Sequence, residues 1–101
     1  MNFLELIFGK KVNLQEVILN GAVILDVRTK AEYQSGHLKN SINIPVDKLQ
    51  QNIKNLNKNK AIITCCASGA RSASATRILK SNGFEEVYNG GSWQSLRKYL
   101  S

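Results

Sequence analysis

The chain has 101 residues, 43% hydrophobic and 21% charged, with a formal net charge of +7. That length fits one domain over residues 1–101, with a single core that needs no disulfide or metal to close it. No stretch approaches the ~20 consecutive apolar residues of a membrane span, and the apolar start MNFLELIF is short, carries Glu5 and lacks a basic lead.

Asn13, with Glu16 three residues on, has capping-box spacing and predicts a helix start. The run AVILDV (22–27) is short, continuous and rich in β-branched residues, the pattern of a strand buried on both faces of a parallel sheet. Thr29 and Glu32 repeat the capping spacing, and INIP (42–45) is a shorter strand candidate stopped by the only proline. From Asp47 to Leu56, apolar Leu49, Ile53 and Leu56 recur at helical intervals and predict a stripe facing the core. AIITCC (61–66) is a second buried run, followed by a helix from Arg71 to Asn82 that Gly83 closes. EVYN (86–89) is the last strand candidate, and Trp93, Leu96 and Leu100 share one face of a final helix, with Trp93 as a core anchor. Strand and helix alternate, so the class is α/β with a mainly parallel sheet. In such sheets chemistry collects at the carboxyl ends of the strands, where Cys65 and Cys66 stand.

The excess of positive charge does not read as a nucleic-acid surface. Its lysines are spread along the chain, and the densest group, KNLNKNK, has no aromatic residues among it to stack bases. A field of this sign favours small anionic substrates instead. Side chains of adjacent strand residues point apart, so Cys65 and Cys66 are expected as free thiols, as a reducing cytoplasm keeps them. His37 is the only histidine, and no set of residues has zinc spacing, so no metal is expected.

After AIIT the chain must turn from strand to helix within a few small residues, Ala67, Ser68, Gly69 and Ala70. A turn of that kind points backbone N–H groups inward as a nest for an anion, and the following helix adds its own free N–H groups and positive dipole end. A thiol there has its thiolate stabilised and its nucleophilicity raised. Cys66 is expected as that exposed thiol, while Cys65 lies inside the strand and packs. Thiol phosphatase loops have Cys-x5-Arg with glycine three places after the cysteine. From Cys65 the arginine fits but position 68 is serine; from Cys66 the glycine fits but Arg71 comes one residue early.

The second register, CASGAR, resembles the six-residue active loop of the rhodanese family, with its Cys-x-Ser-Gly-x-Arg-Ser pattern. LDVRTKAEYQSGHLKNSINIP (25–45) resembles that family's Asp-x-Arg, acid, Gly-His and Asn-x-Pro series, and GFEEVYNGGSWQSL (83–96) is similar to its closing Gly-Gly…Trp segment. The resemblance implies a five-stranded, mainly parallel sheet flanked by helices on both faces. It also implies a sulfurtransferase that needs no cofactor. Cys66 would attack the outer sulfur of thiosulfate, a persulfide or a polysulfide, and the Cys66 persulfide would pass that sulfur to a thiol, to cyanide or to a protein acceptor. The amides from Ala67 through Ser68, Gly69 and Ala70 to Arg71 would hold the bound sulfur. Family loops active on thiosulfate often hold a basic or bulky polar residue just after the cysteine. Ala67 departs from this, which shifts the expected donor toward persulfide or polysulfide. A monomer without nucleic-acid or membrane partners is expected.

Arg71 either contacts substrate or braces the loop against Asp26 or Glu32, and the small loop favours bracing. Asp26 ends a buried run, so its charge needs a partner, for which Arg28 and Arg71 are the candidates. His37 matches a family position that organises a connection rather than chemistry. Ser68 and Ser72 are expected to cap the loop and helix.

Overall fold

The structure, a computed structural model, describes residues 12–100, so the apolar start lies outside the described residues. Helix α1 (Leu14–Leu19) begins where Asn13 accepts a hydrogen bond from the Glu16 amide at 3.3 Å. Strand β1 (Val23–Asp26) leads to helix α2 (Lys30–Gln34), where Thr29 and Glu32 form both halves of the expected capping box. Strand β2 (Ile42–Asn43) is followed by two 3-10 segments, Val46–Lys48 and Gln50–Asn55. Strand β3 (Ile62–Cys66), helix α3 (Ala70–Ser81), strand β4 (Val87–Ser92) and a 3-10 segment, Trp93–Tyr99, complete the order.

All pairings are parallel, in the order β2-β1-β3-β4. Four strands are found among the described residues, against the five expected. Alternate residues of the central strands face opposite cores. Leu25, Ile62 and Cys66 pack with Leu49, Ala75 and Leu79, so α3 and the first two 3-10 segments cover one face. Ile24, Ile63 and Cys65 pack with Leu96, and Leu14, Val17, Ile18, Trp93 and Tyr99 close the other face. Fully burying an aliphatic side chain of this kind stabilises by roughly 1.5–3 kcal/mol.

Two findings differ from the sequence expectations in detail. The stripe Leu49, Ile53 and Leu56 does face the core, but its backbone is 3-10: the Lys48 amide bonds the Pro45 carbonyl and the Asn52 amide that of Leu49, each three residues back. The final segment is likewise 3-10 rather than α-helix.

Register places the site. Asp26 pairs with Cys65, and Cys66 with Ser92, so three strand ends meet at one level. Between Thr64–Asn89 and Cys66–Ser92 two steps along β3 match three along β4, a bulge at the Gly90-Gly91 pair. Gly90 is required there by close approach, since a Cβ would lie 2.8 Å from the Thr64 carbonyl oxygen and from Ile63 Cγ2.

Candidate active site

Helix α3 starts immediately after the loop that leaves β3. Gly69 makes the turn possible with φ of +107°, a conformation that side chains resist. The folded-back loop brings the Gly69 N–H to 2.9 Å from Cys66 Sγ. The thiol donates toward Ser72 Oγ at 3.6 Å. Burial pushes the Cys66 thiol up, but hydrogen bonds from the Ser72 hydroxyl and the amides of Ser72, Gly69 and Ser68 outweigh it, and the thiol sits below its ordinary value. The loop therefore stabilises the thiolate of Cys66 relative to the thiol.

The expected exposure of this thiol is corrected. Cys66 is 0% exposed, because the loop closes over the sulfur it cradles. Ala67, Ser68 and Ala70 are themselves exposed, so the loop's own small residues separate the sulfur from solvent. Cys65 behaves as expected. It is buried against the opposite core, and burial, reinforced by the Asp26 carboxylate, pushes its thiol up to about 12. Both cysteines are free, and their positions in opposite cores rule out their pairing across the sheet.

Ser72 is fully buried, and its hydroxyl can donate to Asn89 Oδ1 (2.6 Å) or to the Gly69 carbonyl (3.0 Å). Asn89 Oδ1 also accepts from the Gly91 amide at 2.9 Å, and its Nδ2 donates to the Gly69 carbonyl at 3.4 Å. The β4 bulge thus fastens the loop to the neighbouring strand. Asn89 was missed by sequence reasoning; the Gly-Gly pair beside it is the signal of a bulge next to a site.

The charged residues divide into two closed pairs. Arg28 reaches Asp26 through Nη2 at 2.7 Å and Nε at 2.9 Å, and donates to the carbonyls of Gly36 and Glu32. Its guanidinium lies 4.6 Å from the Trp93 ring centroid, so half-buried Trp93 serves as a platform as well as a core anchor. Arg71 is bidentate on Glu32, at 2.7 and 3.0 Å, which is the bracing arrangement. That guanidinium, with the Thr29 amide, holds the Glu32 carboxyl down at about 2. Asp26 takes Arg28 as its partner, and Arg71 takes Glu32. His37 is exposed, stacks on Tyr33 at 3.7 Å between centroids, and bonds the Tyr33 carbonyl through Nδ1 at 2.7 Å. It therefore lies among the residues of the α2–β2 connection.

Among the described residues no group of three or more His, Cys, Asp or Glu side chains could hold a metal ion, and no helix is long and apolar enough to cross a membrane.

The family model of the rhodanese-like domain matches residues 11–97. The chain is 39% identical over 82 residues to the candidate sulfur carrier protein YrkF of Bacillus subtilis (strain 168), covering 81% of this chain and 42% of that protein. It spans about half or less of the curated relatives it matches. Among solved structures it is similar to a rhodanese with anions from E. coli, with TM-score 0.70 and 30% identity, covering 74% of this chain and 91% of that one. It is also similar to the human single-domain sulfurtransferase TSTD1, with TM-score 0.68 and 25% identity over 84% of this chain and 89% of that one. A parallel α/β sheet, an amide-lined cysteine loop at its carboxyl edge and a match over nearly all of the chain agree: this chain belongs to the rhodanese-like domain family.

Proposed function

We propose that the domain is a sulfurtransferase working by double displacement through Cys66. The Cys66 thiolate attacks the outer sulfur of a donor, forming a new S–S bond. The donor's own S–S bond breaks, and the electron pair leaves with sulfite when the donor is thiosulfate, or with a thiolate when it is a persulfide. An acceptor thiolate or cyanide then attacks the terminal sulfur, and the pair from the Cys66 S–S bond returns to Cys66. Sulfur carries the electrons in both steps, so the balance needs no other redox partner.

The observation that supports this most is the Gly69 amide aimed at Cys66 Sγ at 2.9 Å, with Ser72 beside it. Such donors serve both ends of the cycle, holding the thiolate before attack and the anionic outer sulfur after it. The donor we favour is a persulfide or polysulfide, because Ala67 leaves the loop without a cation of its own next to Cys66. The test is steady-state kinetics with thiosulfate and glutathione persulfide, on the native chain, Cys66→Ser and Cys65→Ser. The reading expects turnover lost in Cys66→Ser only, with kcat/KM higher for the persulfide. A far higher value for thiosulfate sinks the donor assignment.

One observation favours a relay variant of the same chemistry. The sulfur is sealed under its loop, and a protein acceptor that opens the loop would reach it where small molecules do so slowly. The likeness to a candidate sulfur carrier points the same way. Fast transfer to one protein thiol alongside slow release to cyanide distinguishes the relay from a small-molecule enzyme.

A further inference from the structure

Among the described residues, the two arginines that the β1 and β3 ends bring toward the cysteine loop are both paired. Arg28 is buried on Asp26, and Arg71 gives both terminal nitrogens to Glu32. Lys30 and Lys48 line a separate surface pocket with Tyr33, His37, Asn43 and Pro45. Arg71 nonetheless belongs to the cysteine loop: it directly precedes Ser72, whose Oγ lies 3.6 Å from Cys66 Sγ. A free guanidinium there would attract a donor in proportion to the negative charge the donor carries. A guanidinium covered by a carboxylate would not.

We infer that Glu32 sets which donors the loop accepts. By covering the charge of Arg71 it turns the site away from dianions such as thiosulfate, toward donors that bring one negative charge or none to the sulfur. The inference rests on the sulfurtransferase reading for its consequence, but the electrostatic claim stands apart from turnover. Glu32 acts through Arg71 and touches neither sulfur nor donor, so it is a positioning residue. The arrangement also explains why the carboxylate comes from the capping position of α2. Oε1 accepts from the Thr29 amide at 3.0 Å while bonding Arg71, so the lock is held from both sides.

Glu32→Gln is the discriminating substitution. Glutamine keeps an oxygen for the Thr29 amide and for Arg71, and so preserves the cap while deleting the charge. The measurement compares alkylation of Cys66 by iodoacetate, an anion, with that by iodoacetamide, its neutral analogue. Both run on a Cys65→Ser background so that one thiol reports. Loop opening and thiolate fraction are common to the two reagents and cancel in the ratio of rates. That ratio is expected to rise by about threefold or more in Glu32→Gln, to fall back with added salt, and to return to the starting value in Glu32→Gln combined with Arg71→Met. In turnover, the KM for thiosulfate falls with kcat little changed. A ratio unchanged in a folded Glu32→Gln protein overturns the inference, as does a rise that survives removal of Arg71. Should no donor place sulfur on Cys66 in either protein, the transferase reading fails, and the alkylation ratio still decides whether Glu32 governs the field.

Discussion

Removing one hydroxyl from the buried side of the loop gives a quantitative test of how the thiolate is held. Ser72 Oγ lies 3.6 Å from Cys66 Sγ and 2.6 Å from Asn89 Oδ1. In the neutral state the thiol hydrogen points at Ser72, and the hydroxyl hydrogen passes on to Asn89. On ionisation the hydroxyl turns and donates to the sulfur. A hydrogen bond to a charged group contributes about 1.5–3 kcal/mol. The sulfur contact is long and the turn gives up the bond to Asn89, so about 1.5 kcal/mol is the relevant end, roughly a tenfold change in the thiolate-to-thiol ratio. Ser72→Ala therefore moves the pH midpoint of Cys66 alkylation by iodoacetamide upward, and at any pH below both midpoints cuts the rate by about tenfold. Alanine fills the same small space, so the circular dichroism spectrum stays that of the native fold. A midpoint that stays in place or moves down would refute the assignment of Ser72 as a thiolate donor.

Cys65 gives an alkaline signature. Its folded value is raised from 9.0 to about 12, so the stability it lends is fully present below pH 9 and is lost as pH rises toward 12. The Tm of the native chain should fall more steeply across that window than the Tm of Cys65→Ser; parallel curves contradict the burial of that thiol. Gly90→Ala drives a Cβ against the Thr64 carbonyl and Ile63, and should destabilise by about 1–3 kcal/mol in urea titration. An unchanged midpoint there denies the bulge. His37→Gln loses the stack on Tyr33 at an exposed site, so a stability loss of roughly 0.5–1.5 kcal/mol with unchanged kcat is expected. A drop in kcat without loss of stability contradicts that role.

The parts of the fold legible in the sequence are those where one residue type answers one local demand. Thr29 and Glu32 are readable as a box because each side chain has one nearby amide to serve. The buried runs at 22–27 and 61–66 are readable because only a strand covered on both faces needs unbroken β-branched residues. The Cys66 register is readable because Gly69 at positive φ is the one residue that lets an amide turn back onto the sulfur. The 3-10 backbone at 46–55 was not legible, because repeats of 3.0 and 3.6 residues hardly diverge over ten positions. Neither was the choice of partners for Asp26, since Arg28 and Arg71 both carry the right charge and only the backbone conformation that folds Arg28 back onto Asp26, two residues away, decides between them. Asn89 escaped notice because its role depends on an extra residue in β4, a tertiary feature with no periodic trace. The closure of the loop over Cys66 has the same origin: small residues permit it, but only the distance from Gly69 to the sulfur reveals it.

Sulfurtransferase chemistry in this chain requires Cys66, not its neighbour Cys65, to carry the sulfur. Intact mass after incubation with thiosulfate or polysulfide, followed by removal of excess donor, reads this directly. The prediction is a gain of one sulfur atom on the native chain, kept in Cys65→Ser and absent in Cys66→Ser. A sulfur that follows Cys65 instead, or no gain on the native chain with either donor, contradicts it.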